Sequence, residues 1–297
     1  MPSTTTFRGG RLPAQPGRPH LKFSHALGAE TPAPPATADW LSEVTSWGMY
    51  LNDQLGDCTC AGVAHKRIGD LADAKNPAAA ITDDDVLHLY EAVGHYVPGK
   101  PNTDQGAVCQ DVLEYWQKTG FDGEKIVAFA KVDISNVTEV RQAIAAFGQI
   151  YCGFNFPDSA MNQFDNGQPW DVVKGAQIEG GHCVTVGAYD STGFTCVTWG
   201  ATQKLTLAFW KKYFDEAWVI ITPDFVNTQS GVDNAGLDLY ALGEDYAALT
   251  GETNPIPAPQ PQPTPSPAPA PTPQPAPSGA DQQLADAAHA WLAAKGL

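Results

Sequence analysis

The sequence has few basic residues and no long apolar run. Its 297 residues include 17 Lys and Arg against 33 Asp and Glu, which gives a formal net charge of −16. An acidic chain repels polyanions, so nucleic acid and an anionic membrane surface are disfavoured as main partners. Because no apolar stretch approaches the roughly 18 residues of a membrane span, we expect no transmembrane helix.

Export and metal signals are also missing. The opening stretch "MPSTTTFRGGRLPAQPGRPH" lacks the apolar core of a signal peptide, so we expect synthesis in the cytoplasm without export. The six cysteines are then expected to be free, mostly buried thiols. The cysteines form no C-x-x-C pair, so the sequence predicts neither a metal site nor a cofactor.

The order of the predicted elements indicates an α+β protein. Residues 1–36 are rich in Pro and Gly and are expected to form an extended arm that lies on the body or trails from it. Residues 37–252 form the predicted domain, in which helical periodicity comes first and strand periodicity later. Helices are predicted over 57–74, 82–96, 107–120 and 136–148, and strands over 149–156, 182–190 and 193–200. The last two strands are joined by Asp-Ser-Thr-Gly, which predicts a hairpin turn.

The C-terminal part differs from this body. Every second residue from Pro255 to Pro277 is proline, which predicts a polyproline spacer within a linker over 253–278. Residues 279–297 predict a short amphipathic helix that cannot bury its apolar stripe alone. We therefore expect this helix to dock on a protein partner, or alternatively on the chain's own body.

Two thiols follow a Gly-Asp pair in "LNDQLGDCTCAG". Cys58 and Cys60 lie at the predicted start of the first helix, where the helix dipole and unpaired N–H groups favour a thiolate. His182 begins the strand "HCVTVGAYD" after two glycines and could supply the base. A cysteine followed at long range by a histidine is compatible with nucleophilic catalysis by a thiol.

These motifs, together with "VTWG", resemble the papain-like cysteine peptidases. That family has a Gln six residues before the Cys of Gly-Ser-Cys, then a His in an apolar strand, then Asn-Ser-Trp-Gly. The residues of these motifs most resemble those of phage-encoded cysteine-peptidase-like proteins. The resemblance implies a papain-like fold, with a helical subdomain and an antiparallel sheet subdomain. It also implies hydrolysis of peptide or isopeptide bonds through a Cys–His pair, on a peptide or protein substrate, with a virion as one candidate assembly for the tail.

Two alignments of the cysteine motif are possible. Matching Gly-Ser-Cys makes Cys58 the nucleophile and puts Asn52 at the position of the oxyanion Gln. Matching the Gln to Gln54 makes Cys60 the nucleophile instead. We favour Cys58, because the first turn is where the field of the helix is strongest. The side-chain amide of Asn52 or Gln54 could then donate to the oxyanion.

The third member of the family's triad is replaced. Val197 and Thr198 occupy the positions of Asn and Ser, so the hydroxyl of Thr198, or a carboxylate such as Asp190, would have to orient His182. Trp199 would shield the imidazole from water. The alternative reading is a weak or inactive papain-like fold that serves as a structural or binding module.

Substrate contacts are expected on either side of the predicted nucleophile. By the same resemblance, Asp104, Gln105 and Gly106 match a glycine-bearing substrate loop, although a plain capping turn explains them equally. Gly181 leaves room beside His182 for a substrate to approach.

Overall fold

The computed structural model describes residues 9–28, 31–73, 81–223 and 237–258, with positions 283 and 292. The predicted linker beyond residue 258 and the predicted docking helix 279–297 therefore lie outside the described residues, except for those two positions. The chain divides into two compact units, residues 1–260 and 261–297, and the account below concerns the first.

Seven α-helices and ten β-strands occur within the described residues. The helices are α1 (Cys58–Asp73), α2 (Asp83–Gly94), α3 (Cys109–Lys118), α4 (Val137–Phe147), α5 (Ser159–Asp165), α6 (Leu207–Tyr213) and α7 (Leu239–Thr250). The strands are β1 (Arg11–Leu12), β2 (Leu21–Lys22), β3 (Ala38–Asp39), β4 (Ala107–Val108), β5 (Ala128–Lys131), β6 (Ile150–Pro157), β7 (Ile178–Tyr189), β8 (Gly193–Thr198), β9 (Ala201–Thr206) and β10 (Phe214–Ile221). None of the helices among these residues is long and apolar enough to cross a membrane.

The helix starts follow local capping chemistry. α1 begins at Cys58, as predicted. The side chain of Thr82 accepts from the N–H of Asp85, and the Asp85 side chain accepts from the N–H of Thr82, which forms a capping box at α2. Asn136 caps α4 by accepting from the N–H of Glu139. The Glu139 carboxylate accepts from the N–H of Asp133, outside the helix.

The main sheet has eight strands in the order β2-β5-β10-β6-β7-β8-β9, with β3 beside β7. Its pairs are antiparallel except for β2 and β5. The predicted hairpin between β7 and β8 is confirmed, and Asp190 closes its turn by accepting from the N–H groups of Thr192 and Gly193. Helices before strands give the α+β class that the sequence predicts.

The two larger apolar cores among the described residues flank this sheet. One, here called the helix-side core, joins buried residues of α1, α2 and α3 to Tyr151, Cys183 and Trp218. The other, called the sheet-side core, joins α4 and α6 to side chains such as Phe154, Phe156 and Trp199.

The N-terminal arm is part of the body. β1 pairs in parallel with β4, and β2 pairs in parallel with β5. Because Ala107–Val108 pairs with the arm, α3 begins at Cys109 and not at residue 107 as the sequence suggested. At the other end, Ile256 is 1% exposed within the sheet-side core, so the first residues of the proline-rich segment also lie on the body.

Candidate active site

Cys58 is the first residue of α1 and is 1% exposed. Its thiol lies beside the main-chain N–H groups of Cys183 in β7 and of Gly10 in the arm. The helix start and these N–H groups offset part of the cost of burying a thiolate here. Cys60 is likewise buried in the helix-side core.

The side chain of His182 is held by a hydroxyl and an indole. Its Nε2 lies 2.8 Å from Oγ1 of Thr198. The Trp199 ring stacks on the imidazole at 4.6 Å with an interplanar angle of 16°. Phe154 and Phe156 contact the imidazole edge to face, at 5.7 and 5.6 Å. The imidazole is thus fixed among sheet-side aromatics, at one end of β8.

β7 separates the surroundings of the thiol from those of the imidazole. Neighbouring residues of a strand point to opposite faces. The sulfur of Cys183 lies 3.7 Å from that of Cys109, in the helix-side core. His182 therefore faces the sheet-side aromatics. Cys58 touches the main chain immediately after His182, but its thiol and the imidazole face opposite sides of β7.

Burial keeps both groups neutral in the state described. It raises the pKa of the Cys58 thiol to about 12, although the N–H groups of Cys183 and Gly10 lower it in part. Burial also lowers the pKa of His182 to about 3, with a smaller contribution from His65. Asp57, beside the thiol, has a pKa raised well above its usual value by burial. A thiolate–imidazolium pair at neutral pH therefore requires the thiol to become accessible.

The two candidate oxyanion donors differ in exposure. Asn52 is 3% exposed, and its Nδ2 donates to Oδ1 of Asp57 at 3.0 Å and to the carbonyl of Leu55 at 3.3 Å. This places the Asn52 amide beside the residue that precedes Cys58. Gln54 is exposed on the same turn.

The predicted substrate loop contacts the nucleophile turn. The Asp104 carboxylate accepts from the N–H of Gly56 at 3.0 Å and from the Tyr90 hydroxyl at 2.6 Å. Gly106 has φ +80 and lies against Gly10 of the arm. Gln105 is exposed, and its amide donates to the carbonyl of Asn102 within the loop.

The arm covers the space between this loop and β7. Gly10 donates its N–H to the carbonyl of Gly181 at 3.2 Å and accepts from the N–H of Ala107 at 2.8 Å. Arg11 then enters the body and pairs with Asp215 and Glu216 of β10. None of these three residues was predicted from the sequence. The signal for them was the adjacent Asp-Glu pair at the start of an otherwise apolar strand. Among the described residues, no group of three His, Cys, Asp or Glu side chains could hold a metal ion.

Solved structures share this arrangement of elements. Xylellain, a cysteine protease from Xylella fastidiosa, aligns with a TM-score of 0.57 and 17% identity, over 72% of this chain and 96% of that one. Procathepsin L 3 from the larval midgut of Tenebrio molitor gives 0.50 and 13%, over 72% and 76%. Procathepsin B S9 from Trypanosoma congolense gives 0.51 and 10%, over 72% and 86%. The chain has the papain-like cysteine protease fold.

Comparison of sequences alone does not detect this structural similarity. No family model matches the chain, and no curated protein matches it. At identities of 17% or less, the structural likeness shows the papain-like fold alone.

Proposed function

We propose that the protein is a papain-like thiol hydrolase that cleaves peptide or isopeptide bonds. The observation that carries the proposal is the contact of the Cys58 thiol, at the start of α1, with the main chain next to His182. Support also comes from His182 itself, which is held by Thr198 and covered by Trp199. A nucleophile, a base and an orienting group are the parts that such a reaction needs.

In the proposed reaction, the His182 imidazole must first turn from the sheet-side aromatics toward the thiol. Cys58 then transfers its proton to His182, and the sulfur attacks the substrate carbonyl to form a carbon–sulfur bond. The carbon–nitrogen bond then breaks, and the leaving amine takes the proton from His182. Water, deprotonated by His182, hydrolyses the resulting thioester and restores the thiol. The main-chain N–H of Cys58 and the amide of Asn52 hold the oxyanion, for which Asn52 must release its long bond to Leu55. Gln54, exposed on the same turn, is the alternative donor.

Thr198 takes the orienting role of the family's Asn in this proposal. A hydroxyl can accept the N–H of Nε2, which leaves the lone pair on Nδ1 for the thiol proton. Loss of an orienting group reduces turnover without abolishing it, because the nucleophile and the oxyanion donors carry much of the rate.

The rival proposal is a catalytically inactive fold that serves as a structural or binding module. The observation in its favour is the complete burial of both Cys58 and His182. Reaction with a thiol-directed peptidyl electrophile distinguishes the two proposals. For an enzyme we expect labelling at one site, lost in Cys58→Ala, retained in Cys60→Ala and strongly slowed in His182→Gln. Labelling no faster than that of cysteine in solution, and indifferent to His182→Gln, would favour the inactive module.

We propose in addition that residues 279–297 tether the domain to a larger assembly, with a virion as one candidate. The support is the sequence pattern of an amphipathic helix behind a proline-rich segment. A tether of this kind raises the concentration of the hydrolase near substrate in the same assembly. Deletion of residues 279–297 should change the sedimentation coefficient beyond the effect of lost mass, or abolish capture of the assembly. An unchanged oligomeric state and unchanged capture would refute the tether.

A further inference from the structure

Residues 10–12 of the arm lie in the groove as a bound peptide would. On one side, Gly10 donates to the carbonyl of Gly181, next to His182. On the other side, Gly10 accepts from Ala107, and β1 continues in parallel with β4. Main-chain bonds to both walls of a groove are the way in which an extended peptide adds to a sheet edge. The groove is therefore built to receive an extended backbone beside Cys58.

The groove admits only glycine at the position of Gly10. A Cβ atom on Gly10 would lie 1.8 Å from the carbonyl oxygen of Gly56. The walls are equally close to the arm, since a Cβ on Gly106 would lie 2.1 Å from the oxygen of Gly10, and one on Gly181 would lie 2.2 Å from the oxygen of Arg11. All three contacts are with backbone atoms, which side-chain rotation cannot relieve. The ligand and both walls need glycine here.

The side chain of the next residue, Arg11, lies in a pocket that suits a cation. The Arg11 side chain is 2% exposed. Its Nε donates to Glu216 at 2.8 Å, and its guanidinium pairs with Asp215 at 2.6 Å. A planar guanidinium that meets two carboxylates is recognised by shape as well as by charge.

This pocket belongs to the body and not to the arm. Consecutive strand residues normally point to opposite faces, but the register of β10 shifts between Phe214 and Glu216, so Asp215 and Glu216 both reach one guanidinium. The Trp218 indole donates to Glu216 at 3.0 Å, and the Asn155 amide donates to Asp215 at 3.0 Å. Both carboxylates are thereby held in place.

Glycine at position 153 leaves the space that Arg11 fills. A Cβ on Gly153 would lie 2.5 Å from Nε of Arg11 and 2.8 Å from the carboxylate of Glu216. The Glu216 side chain has no exposed surface, and a buried carboxylate without a cation is costly. An arginine side chain, from this chain or from another, meets that requirement.

We propose that the groove over Cys58 recognises extended peptides with a Gly-Arg step, and that Gly10 and Arg11 occupy it in cis. This proposal names the substrate class of the proposed hydrolase. Cleavage of the bound peptide rests on the proposed function, whereas recognition of the peptide does not. Recognition depends on the glycine-lined walls and the Asp215–Glu216 pocket. A peptide with the same step must displace the arm in order to reach the thiol.

The first experiment displaces the arm in the full chain. In Arg11→Ala, alkylation of Cys58 by iodoacetamide should be roughly a hundred-fold faster than in the wild type, because removing one partner of a buried ion pair shifts an equilibrium by that factor or more. Arg18→Ala is the matched control, since Arg18 is also in the arm and pairs with Asp111 and Glu114 outside the groove. Cys196, fully buried in β8, reports unfolding in the same digest. Equal labelling of Cys58 and Cys196, in both Arg11→Ala and the milder Arg11→Lys, would overturn the proposal, as would a Cys58 still protected in Arg11→Ala.

The second experiment fills the opened groove in trans. Acetyl-Gly-Gly-Arg-Leu-amide should restore the protection of Cys58 in Arg11→Ala, while the matched peptides with Gln for Arg, or with Ala-Ala for Gly-Gly, should not. Adding Glu216→Gln should weaken the protection. Equal protection by all three peptides, or by none, would overturn the proposal. Because iodoacetamide needs only an accessible thiol, protection of Cys58 by the peptide in Arg11→Ala, with no hydrolysis of that peptide by the same variant, would reject the hydrolase while leaving the recognition site intact.

Discussion

Gly10 of the arm and Gly56 of the nucleophile turn are in backbone contact across the groove. A Cβ atom on Gly10 would come within 1.8 Å of the Gly56 carbonyl oxygen, although 46 residues separate the two in sequence. The contact occurs two residues before Cys58. Access to the thiol is therefore set by how closely two glycine backbones approach each other.

Gly10→Ala should lift the arm from this groove. Neither backbone can move aside by rotating a side chain, so the methyl group costs about 1–3 kcal/mol and should speed iodoacetamide labelling of Cys58 by roughly ten- to a hundred-fold. Gly28→Ala is the control, because a Cβ at Gly28 meets nothing within 4 Å. Mass spectrometry of the digested protein measures the labelled fraction. Identical Cys58 rates in the two variants would contradict the assigned contact.

Thr198→Val should reduce the reactivity of Cys58 through His182. The change removes the oxygen that lies 2.8 Å from Nε2, and leaving a buried polar group unpaired costs about 1–3 kcal/mol. We expect hydrolysis, or labelling by a peptidyl electrophile, to fall roughly ten-fold or more, with an altered pH profile. Thr195→Val, at a half-buried position of the same strand, is the matched control. If both variants lose the same activity, Thr198 is a packing residue and does not orient the imidazole.

The sequence predicts the elements of this site better than their surroundings. The start of α1 at Cys58 and the β7–β8 hairpin follow from local signals, a Gly-Asp break and an Asp-Ser-Thr-Gly turn. The features that were not predicted from the sequence depend on tertiary contacts. Ala107–Val108 is a strand only because β1 lies beside it, and Arg11 meets Glu216 across 205 residues. No periodicity within a window of sequence encodes such a pairing.

Breaking the buried pair of Lys66 and Asp70 in α1 should strongly lower the free energy of unfolding. The Lys66 side chain has no exposed surface, and its Nζ also donates to the carbonyl of Phe147 at 3.1 Å. Lys66→Met leaves the Asp70 carboxylate without its cation and should lower the free energy of unfolding by about 3–5 kcal/mol. Lys66→Met combined with Asp70→Leu should recover much of this loss, because both charges are then removed.

The control for that pair is an exposed pair of the same spacing. Lys118 is 76% exposed and lies 3.9 Å from Glu114. Lys118→Met should therefore change the free energy of unfolding by less than about 1 kcal/mol. Urea unfolding at fixed pH measures all three variants. A loss in Lys66→Met no larger than in Lys118→Met would show that the buried pair contributes little.

His65 should make the protein sensitive to mild acid. Burial lowers its pKa to about 4, against the ordinary value of 6.5, while its Nε2 lies 2.8 Å from the carbonyl oxygen of Gly48. Below pH 6.5 the unfolded chain takes up a proton at this histidine, and the folded chain does not until about pH 4. The free energy of unfolding therefore holds its full value above pH 6.5 and falls as the pH drops toward 4, by about 3 kcal/mol from this group.

His65→Gln isolates that contribution. Glutamine cannot take up the proton, so the free energy of unfolding should depend less steeply on pH between 6.5 and 4 than in the wild type, even if the lost ring contacts with Tyr50 and Trp47 lower it at every pH. His88→Gln, at an exposed position of α2, accounts for the loss of a histidine at the surface. Urea titrations at several pH values between 4 and 7 give the slopes. A slope in His65→Gln as steep as in the wild type would mean that His65 is protonated in the folded state, and that the acid sensitivity arises at other groups, of which the still more deeply shifted His182 is the first to test.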